Sequence, residues 1–217
     1  MGFDLIIFDW DGTLADSTGR IVDSMQRAGR IVGLPLVTDA QVQNIIGLGL
    51  PEAVETLWPA IDEEQMAAMK ECYARHFVSD SPIPMGLFAG AETMLARLQE
   101  RGVLLAVATG KSRRGLDRIL DDLTLRHRFA ATRCADESRS KPDPLMLQEL
   151  LAQLRIPASR ALMVGDTTYD LDMANAAGVA GVAMSHGAHD ELALLGCRPL
   201  AMCHSIAELD VWIAQAL

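Results

Sequence analysis

A chain of 217 residues, half of them hydrophobic, is long enough to bury one substantial core or a core carrying a second, inserted unit. Its 29 acidic and 19 basic side chains leave a formal charge of −10, and no block of Lys and Arg stands out, which argues against a nucleic-acid-coating role. Cys72, Cys134, Cys197 and Cys203 lack CxxC or zinc spacing, Met1 to Trp10 lacks a basic leader, Ile6 stands where a myristoylation signal wants Ser or Thr, and no run reaches membrane-spanning length, so a soluble cytoplasmic protein is expected.

The first element is the apolar run Phe3 to Phe8, rich in β-branched and aromatic residues, which ends in "DWDG". Two carboxylates two residues apart, Asp9 and Asp11, repel by about 4 kcal/mol at roughly 4 Å and an effective dielectric of about 20. Either both stay in water or something positive lies between them. From Ser17 to about Ser81 no strand-like run occurs. Thr38 with Gln41 and Asp62 with Gln65 have capping-box spacing, and Gly33, Pro35, Gly47, Gly49, Pro51 and Pro59 divide the segment into about four helices. The expectation is an all-helical unit at 17–81, inserted into a core formed by 1–16 and 82–217, with a hinge where the two crossings lie close together.

Beyond "SPIPMG" a second rhythm begins. Ala91 to Glu100, Pro144 to Leu154 and Asp170 to Ala177 read as helices, the last ended by Gly178. Between them lie "VLLAVATG" from Val103, the weaker "RFAATRC" from Arg128, "ALMVGD" from Ala161 and "VAGVAM" from Val179. Near-continuous hydrophobicity without alternation is the pattern of strands buried on both faces. The chain is therefore expected to be an α/β protein with a Rossmann-like parallel sheet and helices on both faces, plus the four-helix insert.

In such sheets ligands bind beyond the carboxyl ends of the strands, so the turns Asp9/Asp11, Thr109/Gly110 and Gly165/Asp166 should converge. Asp9, Asp11 and Asp166 would then offer oxygens suited to a hard divalent cation, with Mg²⁺ favoured because it keeps several waters and a phosphate oxygen. "TGKS" hints at a Walker A loop, but Leu105 stands where its first glycine belongs. Lys111 is accordingly expected as a surface residue of a first helical turn, able at most to reach an anionic substrate.

"DWDGTLADS", "VATG", "SKPDP" and "GDTTYDLDMA" resemble, in order and spacing, the four motifs of the haloacid dehalogenase superfamily of phosphohydrolases. The insert resembles that family's helical cap placed after the first strand, and the whole is similar to phosphoglycolate-phosphatase-like enzymes. The resemblance implies that Asp9 is the nucleophile, taking the phosphoryl group, and that Asp11 protonates the leaving alcohol and then deprotonates water. It implies that Gly12 lets backbone N–H groups approach the phosphate. Trp10, Thr109, Gly110 and Lys141 would bind phosphate, Lys141 also neutralising Asp9. Asp9, Asp11 and Asp166 would hold Mg²⁺, with Asp170 orienting Lys141 or a water of the cation from behind. Asp172 is left on the surface by helix geometry.

Haloacid dehalogenases of the family lack the second Asp, and its phosphonate hydrolases use a cap lysine. Asp11 is present and the first cap helix offers no lysine, so a small-molecule phosphate monoester is the expected substrate. A phosphomutase of the same family and a non-catalytic binding module on this fold are the alternatives. A signalling receiver domain would need an acceptor Asp around position 50, where "IIGLGLPEAVE" has none. Candidate specificity residues are Arg20, Arg27, Arg30, Arg75, His76 and the stretch Gly47 to Glu52, with His186, Gly187 and His189 as a possible rim.

Overall fold

The computed structural model describes residues 2–217. Strand β1 (Leu5–Phe8) leads through β2 (Ala15–Asp16) into four helices, α1 (Thr18–Val32), α2 (Asp39–Gln43), α3 (Leu50–Leu57) and α4 (Glu63–Arg75), the last running into a π-helical turn. The chain returns through β3 (Gly86–Leu87) and α5 (Ala91–Glu100). It continues with β4 (Leu104–Thr109), α6 (Arg113–Asp122), β5 (Ala131–Cys134), α7 (Leu145–Leu154), β6 (Ala161–Gly165), α8 (Thr168–Ala177) and β7 (Ala180–Met184). Helix α9 (Glu191–Gly196), strand β8 (Ala201–Cys203) and helix α10 (Ile206–Ala216) follow.

Six strands form one parallel sheet in the order β5-β4-β1-β6-β7-β8. Strand β1 lies between β4 and β6, so the strand order reverses at its carboxyl end, the place where a crevice opens in doubly wound sheets. Alternation along β1 explains its unbroken hydrophobicity. Ile6 and Phe8 pack with α5, α6 and α10 on one face, while Leu5 and Ile7 pack with α7 and α8 on the other. Strand β8, β2 with β3, and helices α6, α9 and α10 were not among the expected elements. The three strands are two or three residues long, α9 is six and α6 is rich in charge; α10 was passed over although it buries Ile206, Leu209 and Ile213 on one face.

The inserted helices enclose an apolar cluster of their own, built on Ile21, Met25, Val42, Ile46, Val54, Trp58 and Met69. Both expected capping boxes form: Thr38 accepts from Gln41 N–H at the start of α2, and Asp62 accepts from Gln65 N–H at the start of α4. The two crossings between insert and sheet pair with each other as an antiparallel ribbon, Ala15 opposite Leu87 and Asp16 opposite Gly86. Arg20 ties the same region together, its three nitrogens donating to the carbonyls of Phe77, Ser81 and Ile83. The long loop between α2 and α3 touches the core directly: Tyr169 Oη donates to Asn44 O and Gly49 N donates to Ser140 Oγ, each at 2.8 Å. No helix among the described residues is long and apolar enough to cross a membrane.

Candidate active site

Asp9 follows β1 directly, and its N–H donates to Val164 O of the neighbouring strand at 2.9 Å, which fixes where its side chain emerges. Gly12 then turns the chain at φ +80, and a Cβ there would collide with the Asp166 carboxylate, so only glycine suits both the backbone and the space. Asp166 comes from the end of β6. Thr13 Oγ1 donates to its Oδ1 at 2.6 Å and Ala188 N–H to its Oδ2 at 2.8 Å. Asp170 occupies the third position of α8 and closes a capping box with Thr167, which pins its Oδ2 and leaves Oδ1 free to point inward. Lys141 fills the space between: its Nζ lies 2.7 Å from Asp9 Oδ1 and 2.6 Å from Asp170 Oδ1, with no side-chain surface exposed.

Three carboxylates and one ammonium thus share a buried volume. Burial pushes the Asp9 carboxyl up to about 7 even with Lys141 pulling the other way. Asp166 is raised well above its ordinary value, by burial first and then by the charges of Asp9 and Asp170. Burial works against the charge on Lys141, but Asp170 and Asp9 outweigh it and hold its pKa above that of an ordinary lysine. One cation cannot satisfy this set. Asp9 Oδ2 is buried with no partner among the described residues, and ligand oxygens of Asp9, Asp166 and Asp170 all lie within 4.8 Å of one another. An all-carboxylate donor set with an orphaned oxygen fits a hard divalent cation.

The expected triad differs from this cluster in one member. The Asp11 carboxylate turns the other way, accepting from Ser17 Oγ at 2.5 Å and pairing with Lys111 Nζ at 2.9 Å. Lys111 is therefore not the surface residue expected from the sequence. Its side chain is mostly buried, and its ammonium also stands 4.6 Å from the centre of the Phe77 ring on the helical insert. The helix begins only at Arg113, with Ser112 as its cap, so Lys111 lies in the preceding loop, over which the insert folds.

Thr109 is buried at the end of β4, and its Oγ1 accepts from Lys111 N–H at 3.2 Å. Gly110 lies directly under the insert, where a Cβ would collide with the Leu48 carbonyl. The Trp10 indole packs edge-on to Phe129 inside the core, so its side chain faces away from the carboxylates. Its backbone N–H donates to no protein acceptor among the described residues and is the group it can offer to an anion.

Asp9, Asp11, Gly110 and Lys111 share a cavity of about 350 Å³ with the insert, including Gly47, Leu48 and Leu50 of the stretch singled out from the sequence. The cap cations mostly turn elsewhere. Arg27 and Arg30 are exposed on α1, Arg75 pairs with Asp80, and His76 Nε2 pairs with Asp23 at 2.9 Å. Arg20 reaches the cavity wall with its nitrogens on carbonyls. The 186–189 loop packs behind Asp166: His186 stacks on Phe88, and His189 Nδ1 accepts from Thr168 N–H. Asp172 is exposed, as helix geometry requires. Thr13 and Ser17, which orient Asp166 and Asp11, went unnoticed although both lie within "DWDGTLADS"; a hydroxyl two and six residues beyond Asp11 was the available signal.

Residues 6–184 match the profile of the family described as haloacid dehalogenase-like hydrolase. A Mesorhizobium japonicum protein named phosphoglycolate phosphatase is 31% identical over 218 residues, covering 98% of this chain and 96% of its own. A Mycobacterium tuberculosis protein named tyrosine-protein kinase PtkA is 36% identical over 188 residues, covering 84% of this chain and 62% of its own. A crystal structure from Haemophilus somnus, described as a predicted phosphoglycolate phosphatase, superimposes with a TM-score of 0.85 at 25% identity, covering 98% of each chain. With the profile spanning most of the sequence and the sheet, insert and acidic cluster arranged as above, the chain belongs to the haloacid dehalogenase-like hydrolases.

Proposed function

We propose that this chain hydrolyses a small-molecule phosphate monoester, as its relatives named phosphoglycolate phosphatase are named for doing, by way of a phosphoryl group carried on Asp9. Residues 17–81 act as the cap and 1–16 with 82–217 as the catalytic core. The observation that carries this reading is the Asp9 side chain itself: one oxygen is held by Lys141, the other is buried and unpartnered, and the residue opens onto the cavity it shares with Asp11.

In the first half-reaction Asp9 Oδ2 attacks phosphorus, the bond to the ester oxygen breaks, and Asp11, loaded beforehand with a proton from solvent and shifted off Lys111, passes that proton to the departing alkoxide. Lys111 then faces the carboxylate that Asp11 has become. In the second half-reaction Asp11 takes a proton from water as the water oxygen attacks phosphorus, which releases phosphate and restores Asp9. Lys141 stays on Asp9 throughout, and the Trp10 and Gly110 N–H groups and the Thr109 hydroxyl are the donors assigned to the phosphoryl oxygens. Mg²⁺, held by Asp9 and Asp166 with Asp170 beside them, would supply the remaining charge compensation that phosphoryl transfer needs. Asp11, counted with the ligands from the sequence, has its carboxylate committed to Lys111. Four free thiols suit the cytoplasm as the setting.

The names of the relatives span a phosphatase and a kinase, so the acceptor of the phosphoryl group is what an experiment has to read. The test is turnover of p-nitrophenyl phosphate with Mg²⁺ and with chelator, followed by acid quench, borohydride reduction and mass spectrometry of the peptide containing position 9. Chelator-sensitive release of phosphate, with reduction located at Asp9, is expected. Turnover that requires a sugar bisphosphate as primer would identify a mutase instead, and an unmodified Asp9 under turnover would exclude the covalent route.

A further inference from the structure

The cavity above Asp9 has two unlike ends. Its floor is ionic, but the walls contributed by the cap are mostly hydrocarbon, Arg20 and Tyr73 aside: Ile21 and Met25 from α1, Ile46 before α3, Leu50 at its start, and Phe77 and Met85 near the exit from the cap. A volume of about 350 Å³ lies at the lower end of the range for pockets that enclose a whole organic ligand and far exceeds what a two-carbon acid occupies.

Two of the three cations that line the cavity are already engaged. Lys111 sits on Asp11 at 2.9 Å, with Phe77 against its ammonium, and the three Arg20 nitrogens donate to backbone carbonyls. Arg118, exposed on α6, lies 3.6 Å from Asp122, which also lines the opening. A carboxylate on the leaving group would find only the exposed Arg118 guanidinium beside the acidic Asp122, and a polyhydroxylated one would meet few polar side chains, Tyr73 and Ser112 among them, in a lining that is mostly hydrocarbon. Buried hydroxyls without partners weaken binding, whereas apolar groups gain from leaving water.

On the phosphatase reading above, we infer that the leaving group is apolar: the preferred substrate is the phosphate monoester of an alkyl or aryl alcohol of about six carbons or more, seated between α1, α3 and the Phe77 segment. The phosphoryl end is read by the core and the hydrocarbon by the cap.

The experiment compares n-hexyl phosphate with methyl phosphate, phosphoglycolate and glucose 6-phosphate on the native chain with Mg²⁺. Methyl and hexyl alcohols differ little as leaving groups, so their ratio reports the pocket. The expected result is a kcat/KM for hexyl phosphate at least about tenfold above each of the other three, a difference of about 1.4 kcal/mol in transition-state binding. Phosphoglycolate or glucose 6-phosphate matching hexyl phosphate would overturn the inference and leave the phosphatase reading intact. The same four esters are titrated into the Asp9→Asn variant by calorimetry. No turnover of any ester, together with hexyl phosphate binding at least tenfold tighter than phosphoglycolate, would remove the phosphatase reading and keep the apolar pocket. Equal affinities there would overturn it.

Discussion

The floor and the roof of the cavity are stabilised by opposite means. The floor is a buried ionic cluster in which Lys141 bridges Asp9 and Asp170 and Asp166 is held by Thr13 and the Ala188 N–H. The single ammonium is what all three carboxylates depend on, because removing it leaves like charges uncompensated out of water. The roof is a hydrocarbon wall on helices with their own apolar cluster, joined to the core by a two-residue ribbon, the Arg20 contacts and a few loop hydrogen bonds. Apolar walls tolerate changes of shape far better than ionic clusters tolerate changes of charge. On the function proposed above, chemistry belongs on the floor and selectivity on the roof, and substitutions should sort accordingly.

The sharpest break is expected at Asp9. Asp9→Asn should lower turnover by at least about 10³-fold, and the variant should melt no lower than the native chain because a desolvated carboxylate has been neutralised. A variant that keeps a tenth of the activity would dissolve the distinction between floor and roof. Lys141→Met tests the same cluster from the cationic side. With Asp9 and Asp170 left facing each other, denaturant titration should report a loss of about 3–5 kcal/mol, and turnover should vanish with it.

The pH dependence gives a subtler contrast. The folded chain holds a proton on Asp9 up to about 7, whereas the unfolded chain releases it near 3.8. Raised in the folded state, this carboxyl favours folding at low pH, and its contribution is lost as pH climbs between those values in the cation-free chain. A divalent cation needs the ionised form, so the rise in melting temperature caused by Mg²⁺ should grow from about pH 5.5 to about pH 8. A shift that stays constant or shrinks would mean that Asp9 is not a ligand.

Smaller effects are expected where floor and roof touch. A Cβ in Gly110→Ala must push the Leu48 carbonyl away, which should cost about 1–3 kcal/mol of stability and raise KM more than it lowers kcat. The smallest belongs to the cap arginines that face solvent. Arg27→Ala should change stability by less than about 0.5 kcal/mol and leave kcat/KM within twofold in the same ester assay.

Much of the floor was legible in the sequence because its residues sit beside punctuation with a local cause. Asp9, Thr109 and Asp166 each close an apolar run, and a parallel sheet brings such ends together. Asp170 owes its aim to the third position of a capped helix, again a local matter. Lys111 was misjudged since its partners, Asp11 and Phe77, come from a turn about a hundred residues away and from the cap. The wall was equally hidden: Met25 and Ile46 obey helical spacing as core residues do, and nothing local distinguishes a residue lining a cavity from one filling it.

By itself the sequence determined the α/β sheet, the helical insert and the set of acids and the lysine that could serve phosphoryl transfer, since hydrophobic period, caps and turn residues are written over short spans. Only the tertiary structure decided that Asp170 rather than the Asp11 carboxylate joins Asp9 and Asp166, and that Lys111 is drawn under the cap onto Asp11. It also decided that the space over Asp9 is lined by hydrocarbon. Those outcomes depend on which side chains from distant segments compete for the same few ångströms, and that competition is settled only when the segments pack.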